Sequence, residues 1–401
     1  MHTEAKNTGM TYLKDDGTLF KTSYSYNDKR DNTAIIYENK ELQFKSNLTF
    51  NRRRVDGKQY KPSGEVSPSG TSSNIILTTI NFDNNKKWDF SNGSSLIAGF
   101  TANKEKYQEI FDSNHAIGRN SMGTYISYNN VFSDKFSAIL GLRGHFVKNN
   151  GYDSSQNVFL PQLQTLYKIN DKMSWYTNIG ESFEMPAINS KYSRKSTASI
   201  GALNPQKGWT YETGIKYLTD TSSLKLSIFN MNINNKFAWR KYKETNITPP
   251  PGVDPETYIQ INLGEFRNTG IELTYDKQIN KLWQYNLGAT YQDPKSKESE
   301  KWGQESARVQ ATVGTKYHLG KFTAGTNIFY VGDREDAAPV DGKLFKLKNS
   351  LRINAVATYT PDKNNYFKLN LYNLLNRDNE INVNQQLERP FNWLLTYTYN
   401  F

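Results

Sequence analysis

The residues of this chain that could do chemistry lie in polar stretches, and their spacing decides what that chemistry is. Glu298 and Glu300 flank Ser299 in a lysine-rich run, and Asp333, Glu335 and Asp336 form a second acidic group. Paired carboxylates suit acid–base catalysis or calcium binding. Neither group has calcium-loop spacing, and both read as solvated loops. Gly141-Leu142-Arg143-Gly144 lies inside an alternating apolar pattern with no helix behind it, so it is not a phosphate-binding loop. Of the four histidines, His2, His115, His145 and His318, the last two fall within strands and read as interior or interface residues. With no cysteine, disulfides, thiolate metal sites and thiol nucleophiles are excluded. The sequence predicts no catalytic constellation, no metal site and no cofactor.

The other chemistry on offer is recognition. Lys191, Tyr192, Arg194, Lys195, Lys241, Tyr242, Trp302, Arg334, Phe345 and Arg389 place cations among aromatics in the longer polar loops. Such a rim suits an anionic, aromatic ligand through charge and cation–π contacts. The same residues also read as solvated loop positions, or as contacts to lipopolysaccharide phosphates at a membrane surface. Arg52, Arg53 and Arg54, at the outer end of a strand, favour the lipopolysaccharide reading. The net charge of +11 fits a cationic rim and interior. Nucleic acid is disfavoured as a partner, because no helical basic face or nucleic-acid fold signature accompanies the charge.

The elements that must hold these residues are strands. In the last twelve residues, alternate positions read Phe391, Trp393, Leu395, Tyr397, Tyr399 and Phe401, against Asn392, Leu394, Thr396, Thr398 and Asn400. Side chains on a strand alternate between faces, so one face is aromatic and the other mostly polar. The pattern recurs: Phe136, Ala138, Leu140, Leu142 and Phe146 oppose Ser137, Arg143 and His145, and Trp209, Tyr211, Ile215 and Tyr217 oppose Thr210, Glu212 and Lys216. Earlier strands are expected over residues 2–13, 18–28 and 42–51, followed by a Pro/Gly/Ser loop over 54–72; boundaries within 29–40 cannot be placed. Further strands are expected near 157–168 and 172–183.

Connections alternate as well. Tight turns at 133–135, 170–172, 219–221, 280–281, 320–321 and 361–363 take turns with loops at 148–156, 184–206, 241–258, 294–303, 333–347 and 376–389. Short turns at one end and long loops at the other, joined by strands of about ten residues, describe a membrane barrel. No apolar run is long enough for a transmembrane helix. Only 36% of residues are hydrophobic, yet 26 Tyr and 21 Phe argue against disorder. A wide barrel with a wet lumen reconciles the two. The expected fold is all-β, a large antiparallel transmembrane β-barrel with about 17–19 strands, short periplasmic turns and long extracellular loops. A soluble all-β binding module is the alternative.

Several motifs then point to a family. Phe159-Leu160-Pro161-Gln162-Leu163, Trp175-Tyr176-Thr177-Asn178 and Glu181-Ser182-Phe183-Glu184-Met185-Pro186 resemble the mid-barrel block of the TonB-dependent outer-membrane receptors. Leu203-Asn204-Pro205 with Tyr211-Glu212-Thr213-Gly214, Asn268-Thr269-Gly270-Ile271-Glu272-Leu273, and Tyr372-Asn373-Leu374-Leu375-Asn376 are similar to later signatures in the same order. Trp393, Leu395, Tyr397, Tyr399 and Phe401 look like the family's signal to the barrel-assembly machinery.

The resemblance implies an outer-membrane location, 22 strands in a complete barrel, and a plug domain coupled to the TonB–ExbB–ExbD system. The plug, the first strands and a signal peptide are not recognisable in residues 1–401. The resemblance therefore reads the chain as the C-terminal barrel portion, missing three to five strands and unable to perform gated transport alone. It implies uptake of a ferric siderophore or similar iron chelate. Haem receptors of the family carry a histidine between the Phe-x-x-Pro and Asn-Pro motifs, and Ala187 to Leu203 holds none, which disfavours haem. Cobalamin uptake and a porin-like passive channel remain as alternatives.

Overall fold

Period-two alternation commits nearly every segment to strand, and the computed structural model is built that way. It describes residues 2–13, 19–60, 74–109, 115–150, 155–188, 203–249, 251–256, 258–297, 302–337, 344–381 and 387–400. The first nine strands are β1 (His2–Leu13), β2 (Leu19–Asn39), β3 (Phe44–Tyr60), β4 (Asn74–Asp89), β5 (Ser95–Glu109), β6 (His115–Val131), β7 (Phe136–Asn150), β8 (Ser155–Lys168) and β9 (Met173–Glu184). There follow β10 (Gln206–Thr219), β11 (Ser222–Lys241), β12 (Tyr258–Gln278), β13 (Trp283–Gln292), β14 (Lys295–Lys297), β15 (Trp302–Gln304) and β16 (Val309–Leu319). The last are β17 (Phe322–Gly332), β18 (Arg334–Ala337), β19 (Leu344–Leu347), β20 (Ser350–Tyr359), β21 (Asn365–Tyr372) and β22 (Asn392–Tyr399).

Each long strand pairs antiparallel with the next, from β1 through to β22. The short strands β14, β15, β18 and β19 are hairpin tips that prolong β13, β16, β17 and β20. That leaves 18 wall strands, inside the expected range. Three boundaries differ from the sequence reading. Residues 29–40 are not a separate element but the second half of the 21-residue β2. β3 runs through Arg54 to Tyr60, because Ser23–Lys29 offers a paired edge that outweighs the polar composition. The loops expected at 294–303 and 333–347 contain the two hairpin tips.

The outward face is the apolar register. Leu140, Leu142, Phe159, Trp175, Ile228 and Trp393 are large apolar side chains left exposed on it. A soluble sheet would cover such a row, whereas a barrel wall turns it to lipid. At the short-turn end the row becomes an aromatic girdle. Phe322, Tyr359, Phe367 and Tyr397 lie in one register across four strands, with ring centroids 4.4, 6.4 and 4.9 Å apart.

The turns explain their own residues. The amide groups of Lys172 and Met173 donate to Asn170 Oδ1, those of Leu282 and Trp283 to Asn280 Oδ1, and those of Asn364 and Asn365 to Asp362. Each Asn or Asp replaces a backbone acceptor at the strand end. Gly320 begins a two-residue turn at φ +57°, where a side chain would be strained. At Gly99 the reason is contact, since a Cβ would come within 2.2 Å of the Tyr125 ring.

Placing a charge on the lipid face tests this wall. Leu395→Arg should destabilise the barrel by about 2–4 kcal/mol near the bilayer midplane. Thr396→Arg, one residue along on the polar face, should cost little. Denaturant titrations of both variants in lipid bilayers check the difference, and equal losses would contradict the facing assigned here.

Candidate ligand-binding mouth

The inward register supplies the binding surface. In the upper half of the wall, β5–β7 turn Glu105, Arg119, Arg143 and His145 to one cavity of about 510 Å³, which Phe183, Glu184 and Met185 complete from the end of β9. Arg143 donates to Thr101 Oγ1 at 3.0 Å and lies 5.7 Å from the Tyr125 ring centre. Arg119 donates to the Pro186 carbonyl at 2.6 Å and faces Glu105 at 3.8 Å. Ile188 is buried against Tyr107 and Ile117, so the root of the β9–β10 loop folds inward over these strands.

The opposite wall repeats the chemistry. Arg352 on β20 lies 4.8 Å from the Phe329 ring centre and donates to Glu388 at 2.6 Å. Lower down, Tyr176, Glu212 and Lys225 form a hydrogen-bonded triad, with Tyr176 donating to Glu212 at 2.5 Å and Lys225 at 2.9 Å from the same carboxylate. Lys216 packs 4.6 Å from the Tyr176 ring centre. A second cavity of about 770 Å³ opens at the short-turn end, lined by Asp276, Asn286, Lys316, Asn327 and Lys368 among others. Its lining comes from β10 through β21, so the sheet curls around a polar interior.

The loop residues singled out from sequence are distributed rather than gathered. Lys191, Tyr192, Arg194 and Lys195 lie outside the described residues, as do Glu298, Glu300 and Phe401. Lys241 pairs with Glu256 at 2.9 Å, and Tyr242 is only 1% exposed within a single 3-10 turn. Tyr242 is thus a packing residue at a loop root, not a group presented to the mouth. Trp302 takes Arg267 against its ring at 4.7 Å. Arg334 donates to the Glu380 carbonyl at 2.9 Å and to the Lys348 carbonyl. Through that contact the β18–β19 hairpin, with Arg334 and Phe345, meets the loop that carries Arg389. Within that loop, Asn373 donates to the Arg389 carbonyl at 3.1 Å.

Sequence reasoning overlooked the acids that partner these cations. Glu256 binds Lys241 and Lys243, Glu305 binds Lys236, Asp293 and Asp333 share Arg308, and Glu380 binds Lys348. Asp333, in one of the two acidic groups, is therefore an ion-pair partner. Arg53 also needs correction. It turns inward to Asp28 at 2.9 Å, so only Arg52 and Arg54 of the triplet keep the outer face. The lumen residues Arg143, Glu212 and Lys216 were legible as the polar register of their strands.

The loop pairs make the mouth pH-dependent. Hydrogen bonds from Lys243 and Lys241 hold the Glu256 carboxyl below its ordinary value, and Lys295 with Arg308 does the same for Asp293. A depressed carboxylate contributes order above its ordinary value and loses it as pH falls through the folded value. Hydrogen exchange should show the β11–β12 loop opening only in acid. In Glu256→Gln the same loop should exchange faster already at pH 7, with little further change on acidification. Unchanged exchange in the variant would show that the pairs do not order the loop.

The profile "TonB dependent receptor-like, beta-barrel" matches residues 3–374. An uncharacterized TonB-dependent receptor of Haemophilus influenzae is 24% identical over 301 residues, 68% of this chain and 81% of that protein. The vitamin B12 transporter BtuB of Vibrio vulnificus is 23% identical over 54% of this chain and 34% of its own length. The probable TonB-dependent siderophore receptor PiuA of Acinetobacter baumannii is 26% identical over 52% and 28%.

Among solved structures, the ferric-catecholate import receptor Fiu of E. coli K12 superposes with a TM-score of 0.68, at 16% identity, over 97% of this chain and 65% of its own. The FrpB iron transporter of Neisseria meningitidis gives 0.77 at 14% identity, over 100% and 68%. At such identities the superpositions establish the fold alone. The chain spans about two thirds of those two structures, and about a third or less of BtuB and PiuA.

Proposed function

The chain belongs to the TonB-dependent receptor β-barrel family, an outer-membrane family of transporters rather than enzymes, and from that premise we propose that it forms the ligand-binding wall of an importer for a ferric siderophore or similar anionic iron chelate. The observation that carries the choice is the inward pairing of guanidinium groups with aromatic rings, Arg143 on Tyr125 and Arg352 on Phe329. A chelate built from aromatic oxygen donors is anionic and presents flat ring faces, so it engages both partners of each pair. Haem and cobalamin lack that dense negative charge. Ala187 to Leu203 also offers no histidine to a haem iron.

In this reading no bond of the ligand is broken by the protein. The mouth concentrates the chelate by charge, and the aromatic faces orient it. A plug within the lumen would complete the site and transmit energy from the TonB–ExbB–ExbD system. The polar inner wall offers Lys316, Lys368, Asp276 and Glu212 for contact with it.

Titration of the full-length receptor with a ferric tris-catecholate, haem and cobalamin decides the ligand class. Ferric catecholate should bind tightest, and Arg143→Ala or Arg352→Ala should each weaken it by roughly tenfold, the size of a partly desolvated cation–π contact. Tight binding of haem or cobalamin with none of the ferric chelate would overturn the assignment.

A further inference from the structure

The outward face of β3–β7 changes character along a single line. Register carries Leu48 across to Phe82, Ala102, Met122 and Phe146, an apolar row over five strands. One step toward the long-loop end, the row reads Phe50, Ile80, Lys104, Asn120 and Lys148. The step above it holds Arg52, Thr78, Lys106 and Gly118, and Arg54 follows on β3. All five cations are exposed. Their chain neighbours Glu105, Tyr107 and Val147 lie on the covered inner face, so these cations belong to the lipid side and not to the ligand mouth.

Two carboxylates share this surface. Asp56 pairs with Arg54 at 3.0 Å, and Asp31 stands opposite Arg52 on β2. With Lys29, which stands opposite Arg54 on β2, six cations face these two carboxylates, and the described side chains of this surface carry a positive excess. At comparable distance from the short turns, outward positions elsewhere include Asn230 and Asn232 on β11, Tyr291 on β13 and Tyr330 on β17; Lys207 on β10 and Arg267 on β12 are outward cations there, and Glu265 faces Arg267 at 3.7 Å.

Depth and spacing decide what the excess meets. The cations begin where the lipid-facing apolar row ends, at the level of headgroups. Strands about 4.8 Å apart, with same-face residues roughly 6.7 Å apart along each, put Arg52 and Lys106 within about 10 Å of one another, and likewise Lys104 and Lys148. Long basic side chains at that depth extend along the wall and hold their charges in the headgroup layer.

We infer that Arg52, Arg54, Lys104, Lys106 and Lys148 form a binding site for the phosphates of an outer-leaflet glycolipid, the lipid A portion of lipopolysaccharide. The site lies on the opposite face of the wall from the chelate site and does not depend on which ligand the mouth takes. It seats the long, extended strands β3–β5 against a fixed lipid.

The test uses the receptor expressed from its complete gene in a Gram-negative host and purified in mild detergent. Bound lipid A is counted by mass spectrometry for wild type, Lys104→Gln/Lys106→Gln, and the fivefold glutamine variant. Lys135→Gln/Lys172→Gln/Lys281→Gln, at the short-turn end, is the control. Heat-dependent gel mobility reports folding. Each cation removed should lower lipid A affinity roughly five-fold, so the double variant should lose roughly 25-fold while the control keeps wild-type content. If the fivefold variant does not fold, the double variant decides alone. Titration with lipid A, dephosphorylated lipid A and phosphatidylglycerol vesicles should rank lipid A first. Wild-type lipid A content in the folded double variant, or equal binding of the dephosphorylated lipid or of phosphatidylglycerol, would overturn the site.

Discussion

Everything in this molecule depends on a backbone that finds its hydrogen-bond partners in the neighbouring strand. Hydrocarbon offers none, and each unsatisfied amide or carbonyl there costs several kcal/mol. The unbroken antiparallel ladder from β1 to β22 meets that demand through 18 wall strands. Once the ladder is in place, side chains are free to differ completely on the two faces. One face becomes apolar and exposed, the other polar and wet. Low overall hydrophobicity is then a consequence of the architecture and not a sign of weak folding.

The same ladder separates structural work from recognition. At the short-turn end, Asx-type turns and the Phe322–Tyr359–Phe367–Tyr397 ring ladder fix the wall at the membrane boundary. At the other end strands continue past the apolar band and carry loops in which, among the described residues, Lys236, Lys241, Lys243, Lys295, Arg308 and Lys348 are paired with acids. Ion pairing limits how much charge the rim presents. The inner wall keeps its Arg–aromatic pairs, so ligand chemistry falls to strand residues more than to loop tips.

Much of this was legible because barrel strands announce themselves by alternation and turns by Asn, Asp and Gly. The register that sets Phe146 apart from His145 is visible in residues alone, and so are the turns at Asn170 and Gly320. What escaped was set by partners distant in sequence. The polar run Arg54–Tyr60 is strand only because β2 lies beside it. Tyr242 reads as a rim aromatic, yet tertiary packing buries it. Arg52 and Arg53 are adjacent and chemically alike, and only their opposite facings send one outward and the other to Asp28. Pairs such as Lys236–Glu305 join residues far apart in the chain, beyond the reach of local pattern.

The two-faced wall is the central claim, and the cysteine-free sequence allows a direct reading of it. Single cysteines placed one at a time along β22 and β7 can carry nitroxide labels in lipid bilayers. Collision with oxygen reports hydrocarbon, and collision with a water-soluble nickel chelate reports solvent. Labels at 393, 395 and 397 and at 140, 142 and 146 should favour oxygen, while those at 394, 396, 143 and 145 should favour nickel, with a period of two residues. A flat profile, or the opposite phase, would contradict the account.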